Sequence, residues 1–145
     1  MLLLKKLLAA ALLATLPVAS SASAHPLCVD KDLGVTYTEG EVVLMTASYY
    51  HHSLDGNIMS NGETYRHNDP TIVAHKVLPF GTALRIEGVD NIVYVQDDGP
   101  HPEGRDLDVS GALVEPLGLY TPGYLDVKVL SLTSLMMAYV AHKSV

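Results

Sequence analysis

The stretch Val93–Ser110, VYVQDDGPHPEGRDLDVS, joins an apolar strand to a turn and then to a helix start. Val93 and Val95 alternate with Tyr94 and Gln96, the period of a half-buried strand. Asp97 and Asp98 close that strand at a Gly99-Pro100 turn, and Arg105, Asp106 and Asp108 lead into Ser110. Five acidic residues, Asp97, Asp98, Glu103, Asp106 and Asp108, crowd here out of sixteen in the chain. Such crowding costs like-charge repulsion that an ordinary surface avoids, so the turn is a candidate site.

Working outward on the amino-terminal side, Ile92 to Gln96 reads as the return strand of a hairpin. Its partner is Ala83 to Glu87, and Gly88-Val89-Asp90-Asn91 makes the connection. Glu41 to Tyr50, EVVLMTASYY, is rich in strand formers, and Thr71 to Val77 is a second short apolar segment. Between them, His51 to Gly62 carries the turn pairs Asp55-Gly56 and Asn61-Gly62 and reads as a loop. On the carboxy-terminal side, Ser110 or Asp108 can cap a short helix over Gly111 to Leu117, with Gly118 ending it. Tyr124 to Leu130 alternates Leu125, Val127 and Val129 on one face and reads as a strand. Many short strands with little helix imply an all-β barrel or a β-rich α+β domain, and barrel closure would remove exposed strand edges.

Residues 1–24 read as a signal peptide: Lys5 and Lys6, an apolar run from Leu7 to Val18, then Ala22-Ser23-Ala24 as the cleavage site. The expectation is export to the periplasm or the extracellular space. Residues 25–45 read as a lead-in with an edge strand, and residues 131–145 as a tail with helical potential. The 145-residue chain carries a formal charge of −7. Without residues 1–24 it keeps seven basic against sixteen acidic side chains, a charge of −9. That balance argues against nucleic acid and anionic lipid as partners. Cys28 is the one cysteine, so the fold rests on its core rather than on an internal disulfide. The residues before it, His25-Pro26-Leu27, do not make a lipidation signal.

Ala47-Ser48-Tyr49-Tyr50, Asn61-Gly62-Glu63-Thr64-Tyr65, Ala74-His75-Lys76-Val77-Leu78-Pro79-Phe80-Gly81-Thr82, Asp97-Asp98-Gly99-Pro100 and Asp106-Leu107-Asp108-Val109-Ser110 form an ordered series. The series resembles the rare lipoprotein A type of double-psi β-barrel, a group of bacterial cell-wall lytic transglycosylases related to expansin and barwin domains. The resemblance runs from about Thr46 to Leu130. It implies a six-stranded double-psi barrel over residues 46–130, with one or two short helices and a substrate groove across it. It further implies His75 and Asp97 as the catalytic pair, and maps Glu63 and Asp108 onto family positions. The chain departs from the family pattern at Asp98, where a basic residue is usual, and at His101-Pro102, where an aromatic normally follows Gly-Pro.

Strand alternation puts Asp97 on the face of Val93 and Val95 and Asp98 on the other. If the valine face is the core, Asp97 stands at the barrel mouth against apolar neighbours. Desolvation there disfavours its charged form, and Asp98 pushes the same way. A protonated carboxylic acid is what cleavage of a glycosidic oxygen needs. A glycoside hydrolase ordinarily uses two carboxyl groups. A lytic transglycosylase manages with one, because the sugar's own 6-hydroxyl replaces water. Asp97 is thus the expected acid and base in forming a 1,6-anhydro-muramyl end at the MurNAc–GlcNAc β-1,4 bond. His75 orients substrate or Asp97, or fixes its loop through backbone groups. Tyr49 and Tyr50 alternate across their strand, and an outward tyrosine can stack on a sugar ring.

Tyr50, Glu63, Asp98, Arg105 and Asp108 are the expected substrate-binding residues. His51, His52, His67, His75 and His101 lack the spacing of a zinc site, so neither metal nor cofactor is expected. The expected partner of this monomer is the peptidoglycan glycan strand. The competing readings are a non-catalytic expansin-like polysaccharide-binding module and a hydrolase using Asp108 or Glu63 as a second carboxylate.

Overall fold

The computed structural model describes residues 27–31 and 34–132. The expected signal peptide and most of the carboxy-terminal tail lie outside the described residues. The lead-in is a two-stranded hairpin, β1 (Leu27–Asp30) and β2 (Val35–Thr38). The barrel strands follow: β3 (Val42–Tyr49), β4 (Ile72–His75), β5 (Ala83–Ile86), β6 (Val93–Asp97), β7 (Leu107–Val109) and β8 (Gly123–Ser131). They close in the order β3-β7-β4-β6-β5-β8. The pairs β3–β7 and β4–β6 are parallel and the remaining pairs antiparallel. This is the all-β, six-stranded closed barrel expected of a double-psi fold.

Strand alternation decides what fills it. Met45 and Ala47 of β3, Val73 of β4, and Leu84 and Ile86 of β5 point inward. Val93 and Val95 of β6, Leu107 and Val109 of β7, and Val127 and Val129 of β8 join them. Each of these side chains larger than alanine contributes about 1.5–3 kcal/mol by leaving water. Leu113 and Leu119, around the short helical segment, also enter this interior. That segment is a 3₁₀ turn (Gly111–Leu113) running into α1 (Val114–Leu117), and Gly118 ends it in the left-handed region. Ser110 stands at its start, yet neither expected cap operates. The Ser110 hydroxyl donates to the Asp69 carbonyl, and Asp108 accepts from Ser48.

The amino-terminal hairpin packs on the barrel through Tyr37, which is 1% exposed and belongs to the interior cluster. The Tyr37 ring meets the His75 ring edge-on, with centroids 5.2 Å apart. A second apolar cluster lies on the outer wall: Tyr50, Met59, Tyr65, Ile72 and Ala74. Met59 and Tyr65 dock the 51–66 loop onto that wall. Gly56 and Gly62 take positive φ values of 90° and 88° at the two expected turns.

Candidate active site

The outer cluster lies on the face opposite the barrel interior, and a β-bulge decides which side chains reach that face. β4 and β6 run in register through Val73↔Val95, and then the register shifts so that Ala74 faces Asp97. Paired residues point to the same side of a sheet. The shift leaves Gln96 as the extra residue and turns Asp97 from the valine face to the outer face. The simple alternation expected for Val93, Val95 and Asp97 therefore fails at the bulge, a frequent device for re-aiming a side chain beside an active site.

The same register builds a row across four strands. Asp97 faces Ala74, Ala74 faces Asp108, and Asp108 faces Ser48. Two carboxylates thus flank one small buried residue on the outer face of the sheet. Asp97 is held from three directions. The Tyr50 hydroxyl donates to its Oδ2 at 2.7 Å. Ser60 and Asp98 donate backbone N–H groups to its Oδ1 at 2.8 and 3.0 Å. Tyr50 is 9% exposed, so it supports Asp97 from below and offers little face to a ligand. Burial, and then the bond to Asp97, push its phenol pKa up. Its ring stacks on Tyr65 at 4.3 Å. Tyr65 in turn is pushed up to about 12, chiefly by burial, and its hydroxyl meets His67 Nδ1 at 2.9 Å.

Asp108 receives the Ser48 hydroxyl on Oδ1. Burial raises its pKa above the usual carboxylate range, and the nearby charge of Asp97 adds to the rise. The Ser48 bond and the charges of Arg105 and His101 oppose it. Arg105 is thus close enough to act on Asp108. Asp98 and Glu63 are exposed. Glu63 shapes its loop through its backbone: its N–H donates to Asn61 Oδ1, and its carbonyl accepts from Met59.

His75 lies apart from this row. It shares the parity of Val73, is 2% exposed, and its Nδ1 accepts the N–H groups of Val77 and Leu78, both at 3.1 Å. Among the described residues its Nε2 is buried without a hydrogen-bond partner. Desolvation lowers its pKa to about 4. The expected His75–Asp97 pair is not joined by a hydrogen bond. What His75 holds is the turn into Leu78-Pro79-Phe80.

Asp106, another member of the acidic stretch, clamps β3 instead: its Oδ2 accepts the backbone and hydroxyl groups of Thr46, both at 3.0 Å. The sequence reading missed Ser48 and Ser60 as site members. Ser48 carried a signal, lying two residues before Tyr50 on the same strand face. Ser60 acts through its amide, which no side-chain pattern reveals. The His51 and His52 rings lie 4.1 Å apart, tilted by 37°, and among the described residues no three His, Cys, Asp or Glu side chains are placed to hold a metal.

Residues 42–129 match the family model described as lytic transglycolase. The chain is 35% identical over 99 residues to a probable endolytic peptidoglycan transglycosylase RlpA of Treponema pallidum, covering 64% of this chain and 31% of that protein. It is 36% identical over 123 residues to the endolytic peptidoglycan transglycosylase RlpA of Pseudomonas aeruginosa, covering 79% of this chain and 35% of the relative. Against the Vibrio cholerae protein of the same name the identity is 34% over 87 residues, 57% of this chain and 33% of the other. The chain thus spans about a third of the length of the curated relatives it matches. With the closed six-stranded barrel and a family match running from its first strand nearly to the end of its last, this chain belongs to the lytic transglycolase family of double-psi β-barrels.

Proposed function

We propose that this chain is an exported endolytic lytic transglycosylase. It cleaves the MurNAc–GlcNAc β-1,4 bond of peptidoglycan glycan strands and leaves a 1,6-anhydro-MurNAc end. The carrying observation is the Asp97 carboxylate, turned out of the barrel by the bulge and fixed by Tyr50, Ser60 and Asp98. In its acid form, Asp97 gives its proton to the glycosidic oxygen as the bond from C1 breaks. The muramyl 6-hydroxyl oxygen bonds to C1 and returns its proton to the same carboxylate. No water is consumed, so one carboxyl group completes the cycle. Tyr50 positions Asp97, and His75 positions the turn beside it without touching substrate. Glu63, Asp98 and Arg105 are the proposed sugar-binding groups at the rim, with Asp108 on the floor. Residues 1–24 supply export, and the barrel works as a monomer without metal or cofactor.

A hydrolytic reading draws on the row itself. Asp108, one strand removed from Asp97 and held toward its neutral form, could serve as a second acid with water as nucleophile. A non-catalytic wall-binding module would keep affinity and release nothing. Mass spectrometry of sacculi digested with wild type, Asp97→Asn and Asp97→Ala separates the three. The transglycosylase reading expects anhydro ends from wild type and at least about a hundredfold loss in both variants. Undiminished anhydro product from both variants would sink the assignment of Asp97.

A further inference from the structure

A cleft of about 440 Å³ is lined by Ser60, Lys76, Leu78, Pro79, Phe80 and Asp98. Ser60 and Asp98 also donate their backbone N–H groups to Asp97 Oδ1, so the cleft adjoins that carboxylate. Leu78, Pro79 and Phe80 belong to one turn between β4 and β5. An apolar wall with polar groups at its edge suits one face of a sugar ring. The placement of this turn therefore decides how a sugar lies beside Asp97.

The far end of the turn is tied to the barrel. The Gly81 N–H donates to the Val95 carbonyl at 2.7 Å, and the Thr82 N–H to the Pro79 carbonyl at 3.1 Å. The near end is reached from the amino-terminal hairpin, which precedes the family-matched residues 42–129. His75 Nδ1 accepts the N–H groups of Val77 and Leu78, and the Tyr37 ring of β2 meets that imidazole at 89°. From β1, the Cys28 thiol donates to the Val77 carbonyl at 3.4 Å. Tyr37 and Leu78 share one buried cluster, and Cys28 and Phe80 pack against it. Among the described residues none from the hairpin lines the cleft, so the hairpin reaches it only through the turn.

We propose that the amino-terminal hairpin is part of the cleavage machinery, with Tyr37 as a positioning residue. Through His75 it sets the 77–80 turn as the wall against which the sugar beside the scissile bond lies. The inference rests on the peptidoglycan reading above and adds an element to it. Tyr37 itself touches no substrate. An edge-to-face ring contact is worth about twofold to tenfold in an equilibrium, and without it the imidazole and the turn it holds are free to shift. The thiol bond acts in the same direction and is weaker.

Binding tests this without requiring bond cleavage. Phe80 is the one phenylalanine of the chain, so 4-fluorophenylalanine places a single fluorine NMR signal on the cleft wall. The N-acetylglucosamine tetramer should move that signal in the wild type. Tyr37→Leu should displace the signal of the free protein and weaken the tetramer about threefold to tenfold by calorimetry. Unlabelled Tyr37→Phe, which keeps the ring, should bind within about twofold of wild type. A Tyr37→Leu protein that melts earlier yet keeps the wild-type Phe80 signal and affinity has lost packing alone, and overturns the proposal. Equal weakening by Tyr37→Phe and Tyr37→Leu overturns it as well. Tyr37 is buried, so a second perturbation serves if Tyr37→Leu does not fold. Methanethiolation of Cys28, the one cysteine, removes the donor to Val77 from protein already folded. It should displace the Phe80 signal and weaken the tetramer about twofold to threefold. Unchanged signal and affinity after complete modification overturn the proposal. So does a wild-type Phe80 signal indifferent to the tetramer, which leaves Asp97 to be judged by anhydro ends. If the contrasts hold while the wild type makes no anhydro product, the catalytic reading alone fails.

Discussion

Asp97 and His75 begin as a presumed pair, and their surroundings separate them. Asp97 meets three donors on the outer face of the sheet, whereas His75 faces the barrel interior and accepts two backbone N–H groups. Tyr50→Phe removes the hydroxyl that orients Asp97. We expect kcat/KM on glycan strands to fall about fivefold to tenfold, because one neutral-to-charged hydrogen bond is lost at the acid while the ring stack on Tyr65 persists. A Tyr50→Phe enzyme with unchanged kcat/KM would remove Tyr50 from the positioning role. His75 gives a stability signature. Its folded pKa of about 4 lies below its ordinary value of 6.5. The unfolded chain therefore binds a proton between those pH values that the folded chain refuses. Stability is full above about pH 6.5 and falls as pH drops toward 4, by a maximum of about 3 kcal/mol. Thermal melts of wild type and His75→Gln across that window should show a shallower acid slope in the variant. Parallel slopes would contradict the buried neutral imidazole.

At the scale of elements, the site is made by one bulge and one short strand, and these were the parts least legible in the sequence. The strands around Val42–Tyr49, Ala83–Ile86, Val93–Asp97 and Gly123–Ser131 announce themselves by alternation and β-branched content. β7 is only Leu107–Val109, set between acids, and three residues give periodicity nothing to act on. The bulge at Gln96 depends on the register between β4 and β6, which no single strand encodes. Reading Asp97 by parity alone therefore places it on the wrong face. The 51–66 loop was legible as a loop through its two Gly turns. Its docking through Met59 and Tyr65, and the Ser60 amide it delivers, were not. A further constraint joins this region to the helical turn. A Cβ at Gly111 would lie 2.1 Å from the His67 ring, which Tyr65 holds. Gly111→Ala should cost about 1–3 kcal/mol in denaturant unfolding, and adding His67→Ala should recover much of it. Additive losses would show that the two sites do not touch in solution.

The whole molecule is a closed barrel whose polar face is reached by a loop, a bulge and a three-residue strand. Closure leaves no free edge on the barrel. The amino-terminal hairpin lies outside the matched region 42–129, yet its Tyr37 is part of the interior. The acidic stretch at Val93–Ser110 serves three ends. Asp97 and Asp108 share the outer face of the sheet, Asp106 ties the approach to β7 onto β3, and Asp98 lines the neighbouring cleft. The central claim is that Asp97 breaks the glycosidic bond with the sugar's own 6-hydroxyl as nucleophile. The most direct measurement is the mass of the new ends released from purified glycan strands by wild type and Asp97→Asn run side by side. The expected result is wild-type fragments one water lighter than hydrolytic fragments of the same strand, and almost none from the variant. Hydrated, reducing ends from the wild type, or anhydro ends from Asp97→Asn at the wild-type rate, would contradict it.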